Sequence, residues 1–292
     1  MRVGVVILPD LRWPAAQERW RDAERRGFAT AWTYDHLSWR SLRDGPWLGA
    51  VPLLSAVAAS TTTLRIGTLV TSPNFRHPAL LAKDVMTLDE ISGGRVDLGI
   101  GAGGIGYDAA VLGVPPPKLP DRAARFTEFV DALDVLLREP KSSYQGKFFT
   151  VVDSRTLPGC TQTPRVPFTI AAAGRRALTV AAQHGAMWVT YGPVSPAGSA
   201  DEWYAAVAGQ AAQLDDLCAT TGRDPAALRR AALVGLELAW AQESVGAWDD
   251  FCGRVGDLGF TDVIVHWPRP DDPELPGPPV TVFDEISHRL AG

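Results

Sequence analysis

The stretch Ser92-Gly93-Gly94-Arg95-Val96-Asp97-Leu98-Gly99-Ile100-Gly101-Ala102-Gly103 decides the fold. A helical pattern carrying Leu80, Leu81, Val85, Leu88 and Ile91 stops at the paired glycines, which tolerate the left-handed backbone that ends helices. A short apolar run follows, and its far end is rich in glycine. The same order of strand, open strand end and helix recurs along the chain. Strands are expected near 2–8, 29–34, 64–70, 95–100, 167–171, 186–190, 230–239 and 261–266. Helices are expected near 14–26, 48–60, 78–91, 121–138, 174–184, 200–221, 244–258 and 280–290, with Pro14 and Gly27 bracketing the first. Eight such units in 292 residues are the count of a (β/α)8 TIM barrel, an α/β fold. The chain reads as one domain over 1–292.

Proline and glycine gather in the connections 102–120, 140–167 and 266–279. The first and last follow strands and should open at the catalytic face of a barrel. The middle one precedes a strand, and its Ser143–Phe149 segment can form an extra hairpin or arm.

Composition narrows the function. Hydrophobic residues at 46% and charged residues at 21% fit a soluble globular enzyme. A net charge of −5 with only Lys83, Lys118, Lys141 and Lys147 as lysines gives no nucleic-acid footprint. No run is long and apolar enough to span a membrane, and the opening Met1–Pro9 run is too short for a signal peptide. A cytoplasmic protein acting on a small molecule is the expectation. Cys160, Cys218 and Cys252 lie far apart without metal-ligand spacing, and no His/carboxylate cluster argues for a metal.

Four strand ends carry the candidate chemistry, the third of them Gly67-Thr68-Leu69-Val70-Thr71-Ser72-Pro73. Tyr34-Asp35-His36-Leu37 places an acid beside an imidazole at the second. Successive strand side chains point to opposite faces, so His36 is assigned to the substrate side and Asp35 to organising the loop. An imidazole there can donate a proton or stabilise developing charge; a carbonyl-bonded His beside a capping Asp is the plainer alternative. At the fourth strand, Gly99–Gly104 and Gly101–Gly106 both match GxGxxG. Gly113-Val114-Pro115-Pro116-Pro117 then follows, a run that cannot continue a helix, so the dinucleotide fingerprint is set aside. Glycines there more simply give a flat ring room. Ala171-Ala172-Ala173-Gly174-Arg175-Arg176 opens a helix whose free N–H groups and two guanidiniums suit a phosphate, with tight packing of small residues as the competing account. Trp39 and Trp267 are placed on the wall of the pocket.

These residues resemble the bacterial luciferase-like superfamily of flavin and deazaflavin oxidoreductases. The similarity runs over nearly the whole chain and rests on Leu64–Ala79, on Asp89–Gly103 and on Ala171–Gly174 leading to Ala181–Trp188. Tyr34-Asp35-His36-Leu37 is similar to the Asp-His signature of the branch that uses coenzyme F420. The resemblance implies that His36 lies near the reactive deazaflavin ring. It also implies a bulged non-prolyl cis peptide at Leu69-Val70 supporting that ring. By the same mapping, Ser72 bonds the cofactor head, Gly103 and Tyr107 border it, and Ala172, Ala173, Gly174 and Arg175 meet its phosphate. A homodimer packed through the early helices is implied as well.

Two departures bear on the substrate. Sugar-phosphate dehydrogenases of this branch carry an acid just after the fourth-strand glycines, where this chain has Gly104, and no lysine follows Lys147. An F420-dependent oxidoreductase, in the main direction an F420H2-dependent reductase acting on a small, largely uncharged organic substrate, is the expected function. Without that acid, His36 or water becomes the proton source. The alternatives are an FMN-dependent monooxygenase fed by a separate cofactor-reducing enzyme, and a non-catalytic flavin-binding relative, the latter motivated by the missing acid.

Overall fold

In a computed structural model, residues 1–290 are described apart from 105–106, 116–117, 196 and 273, with Tyr107, Leu236 and Glu237 described by backbone alone. The strands are β1 (Arg2–Val6), β2 (Thr30–Thr33), β3 (Arg65–Thr71), β4 (Val96–Ile100), β5 (Lys141–Gln145), β6 (Thr150–Arg155), β7 (Phe168–Ala171), β8 (Met187–Thr190), β9 (Arg229–Leu233) and β10 (Asp262–His266). The helices are α1 (Trp13–Arg25), α2 (Ala50–Ser60), α3 (Pro78–Ser92), α4 (Tyr107–Val111), α5 (Leu119–Arg138), α6 (Arg175–His184), α7 (Ala200–Thr220), α8 (Val245–Asp257) and α9 (Val280–Leu290). Eight strands close a barrel in the order β1-β10-β9-β8-β7-β4-β3-β2, and β5 pairs with β6 as a separate antiparallel hairpin. The expected (β/α)8 barrel and the expected extra hairpin are both present.

Strand alternation builds two layers of core. Along β1 and just beyond it, Val3, Val5 and Ile7 pack under the helices, while Val6 and Leu8 turn into the barrel. Inside, Val6, Trp32, Leu69, Met187, Val189 and Ile264 fill the lumen. The lower rim is ionic: Arg65 forks onto Asp97 at 2.8 and 2.9 Å, and Arg2 and Arg229 converge on Asp262.

Helix ends follow the sequence signals. Gly93 is left-handed at φ 66° after α3, and Pro78 opens that helix behind His77, whose ring accepts the Ala79 N–H. His77 is therefore a cap, and its ring meets Phe149 of the hairpin edge-on. Two expectations differ from the structure. The strand expected over 230–239 ends at Leu233, because Gly235 turns the chain into a 3-10 turn at Leu236–Gln242. The connection 102–120 is not all loop, since α4 lies within it.

Candidate active site

The upper mouth of the barrel divides into two arcs. Leu69, Val70 and Ser72 stand at β3, Gly103 after β4, and Ala172, Ala173, Gly174 and Arg175 after β7, three neighbouring strands. The opposite arc, β2-β1-β10-β9-β8, encloses a cavity of about 340 Å³. His36 follows β2, at the seam where the two arcs meet.

On the first arc the register between β3 and β4 shifts between Thr68 and Thr71, and the Leu69–Val70 peptide is cis, as the resemblance implied. The glycines of β4 accommodate that bulge more than they clear space for a ring. A Cβ on Gly99 would lie 1.8 Å from the Thr68 carbonyl oxygen, and one on Gly101 would lie 2.7 Å from Val70 Cγ2. Gly103 has φ 73° and packs against Asn74, whose amide nitrogen donates to the Gly104 carbonyl at 3.1 Å. Ser72 is buried and accepts the Asn74 N–H at 3.4 Å. Asn74 Oδ1 and Thr71 Oγ1 are buried without a hydrogen-bond partner among the described residues. The Tyr107 side chain lies outside the described residues.

Gly174 precedes α6 without a side-chain cap, and a Cβ there would meet nothing within 4 Å. The first N–H groups of α6 thus open into free space beside the exposed Arg175 and Arg176. Ala172 is buried, and its carbonyl accepts the Trp188 indole N–H at 2.8 Å. A phosphate-bearing cofactor fits these features: an open helix N-terminus at one end and orphaned polar atoms at β3 toward the other.

At the seam, Asp35 is 1% exposed and takes a two-pronged bond from Arg76 at 2.7 and 3.0 Å. The pair ties the segment after β2 to the one after β3. His36 Nδ1 lies 2.7 Å from Asp108 Oδ2, while Asp108 Oδ1 accepts the Leu37 N–H at 2.7 Å. Asp108 is itself buried, on α4. The expectation that His36 lacks a nearby acid is therefore corrected: the carboxylate comes four positions after Gly104 rather than directly behind the glycines. The Tyr107-Asp108 pair was visible in the sequence, but nothing local tied it to His36. Trp47 completes the clamp by donating its indole N–H to the His36 carbonyl at 2.8 Å.

Leu8, Leu233, Leu238, Leu275, Trp39 and Tyr191 give the cavity its apolar lining. Trp39 packs edge-on against Tyr34 and stacks on Trp47, as a wall residue should. Trp267 is not part of this lining. Its indole lies against Phe283 at 5.0 Å, with the guanidiniums of Arg19 and Arg26 each 5.7 Å from its ring centre. His266 takes the cavity side of the same strand end, so the next residue faces the helices.

His266 Nδ1 meets the Val234 carbonyl at 3.1 Å, and its Nε2 meets the Tyr34 hydroxyl at 2.9 Å. Burial lowers the His266 pKa and pushes the Tyr34 phenol up to about 12, so both are neutral. Arg269 is paired with Asp10 and Asp272. Arg40 is exposed, 4.7 Å above the Trp39 ring. Gln242 also lines the cavity.

A family model described as luciferase-like monooxygenase matches residues 1–268. The chain belongs to that family. Within it, the F420-dependent glucose-6-phosphate dehydrogenases of Beutenbergia cavernae and Microbacterium testaceum are 35% and 31% identical over 165 and 176 residues, 56% and 58% of this chain. The aligned stretches are 48% and 49% of those relatives, so the chain spans about half the length of the curated relatives it matches. Among solved structures, an F420-dependent secondary alcohol dehydrogenase bound to an F420-acetone adduct superposes with a TM-score of 0.80 at 17% identity, covering 100% of this chain and 99% of that one. The F420-dependent tetrahydromethanopterin reductase of Methanopyrus kandleri gives 0.74 at 18% identity, covering 91% and 93%. These two likenesses are of fold.

Proposed function

We propose that this member of the luciferase-like family is an F420-dependent oxidoreductase, an F420H2-dependent reductase in its main direction, acting on a small and largely uncharged organic substrate. The observation that carries the reading is the place of His36. It stands between an arc with a phosphate-fitting helix end and an arc enclosing an apolar cavity, with Nδ1 tied to Asp108. The F420-dependent names of the relatives support the choice of cofactor.

Bound F420 supplies a hydride donor or acceptor. The chain's own residues do the rest. Gly174, Arg175 and the first turn of α6 would hold its phosphate, and Ser72, Gly103, Leu69 and Val70 would hold its ring system. Asp108 fixes the His36 ring so that Nε2 is the nitrogen left to give or take a proton at the substrate. Arg76 and Asp35 keep the loop carrying His36 in place. The Leu and aromatic walls exclude water, and the pairing of Arg269 with two aspartates leaves it no charge to offer a substrate anion.

Titrating the purified protein with F420 and, separately, FMN while following tryptophan fluorescence tests the cofactor. F420 binding in the micromolar range with much weaker FMN binding is expected. Preferential FMN binding would overturn the reading in favour of oxygen-dependent chemistry. F420H2 oxidation screened against neutral compounds with C=C, C=N or C=O bonds, in wild type and His36→Ala, then tests the reaction. Rates unaffected by His36→Ala would remove His36 from it.

We infer further that the protein works in the cytoplasm as a homodimer paired through the early helices. A separate enzyme would return the cofactor to its reduced form.

A further inference from the structure

The two arginines that line the cavity are held differently. Arg269 is paired with Asp10 and Asp272, whereas Arg40 meets no carboxylate among the described residues and stacks over the Trp39 ring at 4.7 Å. Trp39 is itself braced by Tyr34 and Trp47. Arg40 opens the 3-10 turn Arg40–Asp44 with φ 44°, a left-handed conformation that is costly for any residue with a Cβ. A strained backbone thus accompanies a guanidinium that lies on the lining without a carboxylate to hold it. Burial raises the Tyr34 pKa and the Arg40 charge works against that rise, so the guanidinium acts at the Tyr34 end of the cavity. Tyr34 has no hydrogen to spare there. The Val234 carbonyl can only accept, which puts the imidazole proton on His266 Nδ1 and makes Nε2 the acceptor of the Tyr34 hydroxyl.

Resting on the reading of this cavity as the substrate site, we propose that Arg40 recognises the substrate by donating to its carbonyl oxygen. The class is an uncharged carbonyl compound with an apolar body. Its oxygen lies toward Trp39 and Tyr34, and its hydrocarbon surface is covered by Leu8, Leu233 and Leu238. A carbonyl oxygen carries two lone pairs in one plane, which suits the flat fork of guanidinium N–H groups. Tyr34 keeps its bond to His266 and needs no second partner. The charges at this mouth favour a neutral ligand. Arg40 and Arg269 balance Asp10 and Asp272, while Tyr34 and His266 are neutral, so a carboxylate would add an uncompensated negative charge. Nothing in the sequence singled out Arg40, because it lies outside the Asp-His motif and its value comes from the turn that lays it on the lining.

The test uses cyclohexanone and methylenecyclohexane, which share a shape and differ in an oxygen replaced by CH2. Binding of each to wild type, Arg40→Met and Arg40→Lys is measured by ligand-observed NMR with tryptophan fluorescence as a second readout. Comparing one ligand across variants cancels the difference in hydration between the two ligands. Arg40→Met should weaken cyclohexanone about three- to ten-fold, the worth of one hydrogen bond from an exposed donor. Methylenecyclohexane should change by about two-fold or less, which also reports that the cavity is intact. Arg40→Lys, with the same backbone demand and a donor kept, should restore about half or more of the lost cyclohexanone affinity. Unchanged cyclohexanone affinity in Arg40→Met, an equal loss for both ligands, or no saturable binding of cyclohexanone would overturn the proposal. Cyclohexanecarboxylate bound more tightly than cyclohexanone, with the larger loss in Arg40→Met, would overturn it in favour of an anion. F420 titrated in parallel separates the two readings: the Arg40 effect without F420 binding retains this inference and sinks the cofactor assignment, whereas F420 binding without the Arg40 effect does the reverse.

Discussion

Asp108 bonds His36 Nδ1 with one carboxylate oxygen and the Leu37 N–H with the other, each at 2.7 Å, across 72 and 71 positions of sequence. One buried side chain thereby sets both the ring and the loop that carries it. Asp108→Ala should cost about 1–3 kcal/mol of stability through the orphaned Leu37 N–H. It should slow F420H2 oxidation roughly ten- to hundred-fold, within the range of a misplaced proton-transfer group. Steady-state rates beside an F420 titration check this, since the cofactor affinity should change far less than kcat.

Gly174 offers a test in which stability and binding move in opposite directions. An aspartate is a better helix N-cap than glycine by a few tenths of a kcal/mol, and a Cβ meets nothing there, so Gly174→Asp should leave the melting temperature equal or slightly higher. Its carboxylate would occupy the N–H groups of α6 and repel a phosphate. F420 affinity should fall roughly ten-fold or more by fluorescence titration. Unchanged affinity would place the phosphate elsewhere.

His184 governs a pH dependence away from the mouth. Its bond to Asp131 at 2.9 Å, with Asp134 on the other side, raises its pKa from 6.5 to about 9. The folded state holds this proton more tightly than the unfolded state does. The stabilisation is therefore complete below pH 6.5 and is lost as pH rises toward about 9. It amounts to something on the order of 2 kcal/mol. Melting curves of wild type and His184→Gln should converge between those two pH values, wild type being the more stable at the acid end.

Leu80 stands 70% exposed on α3, with Ile91 46% exposed further along the same helix. If two copies pair through the early helices, Leu80→Glu should yield a monomer by light scattering. A solvated glutamate there should change the stability of the protomer by no more than about 0.5 kcal/mol. A wild type that is already monomeric would remove the dimer.

The sequence alone determined the repeating strand and helix units and the strand ends at which the candidate site lies. It also placed Asp35 just after β2 and the open glycine before α6. Each of these rests on local periodicity, on a glycine or proline with one backbone requirement, or on residues adjacent in the chain. Tertiary structure decided what depends on strand order and on which way a side chain faces at a strand end. Closure of the sheet brought α4 over β2, so the acid that seemed absent after Gly104 reaches His36 from Asp108. The break at Gly235 turned the end of an expected strand into the turn that carries Gln242. The alternation of faces after β10 gave the cavity His266 and sent Trp267 out to Phe283. Such contacts join residues tens to hundreds of positions apart, and no pattern within one element encodes them.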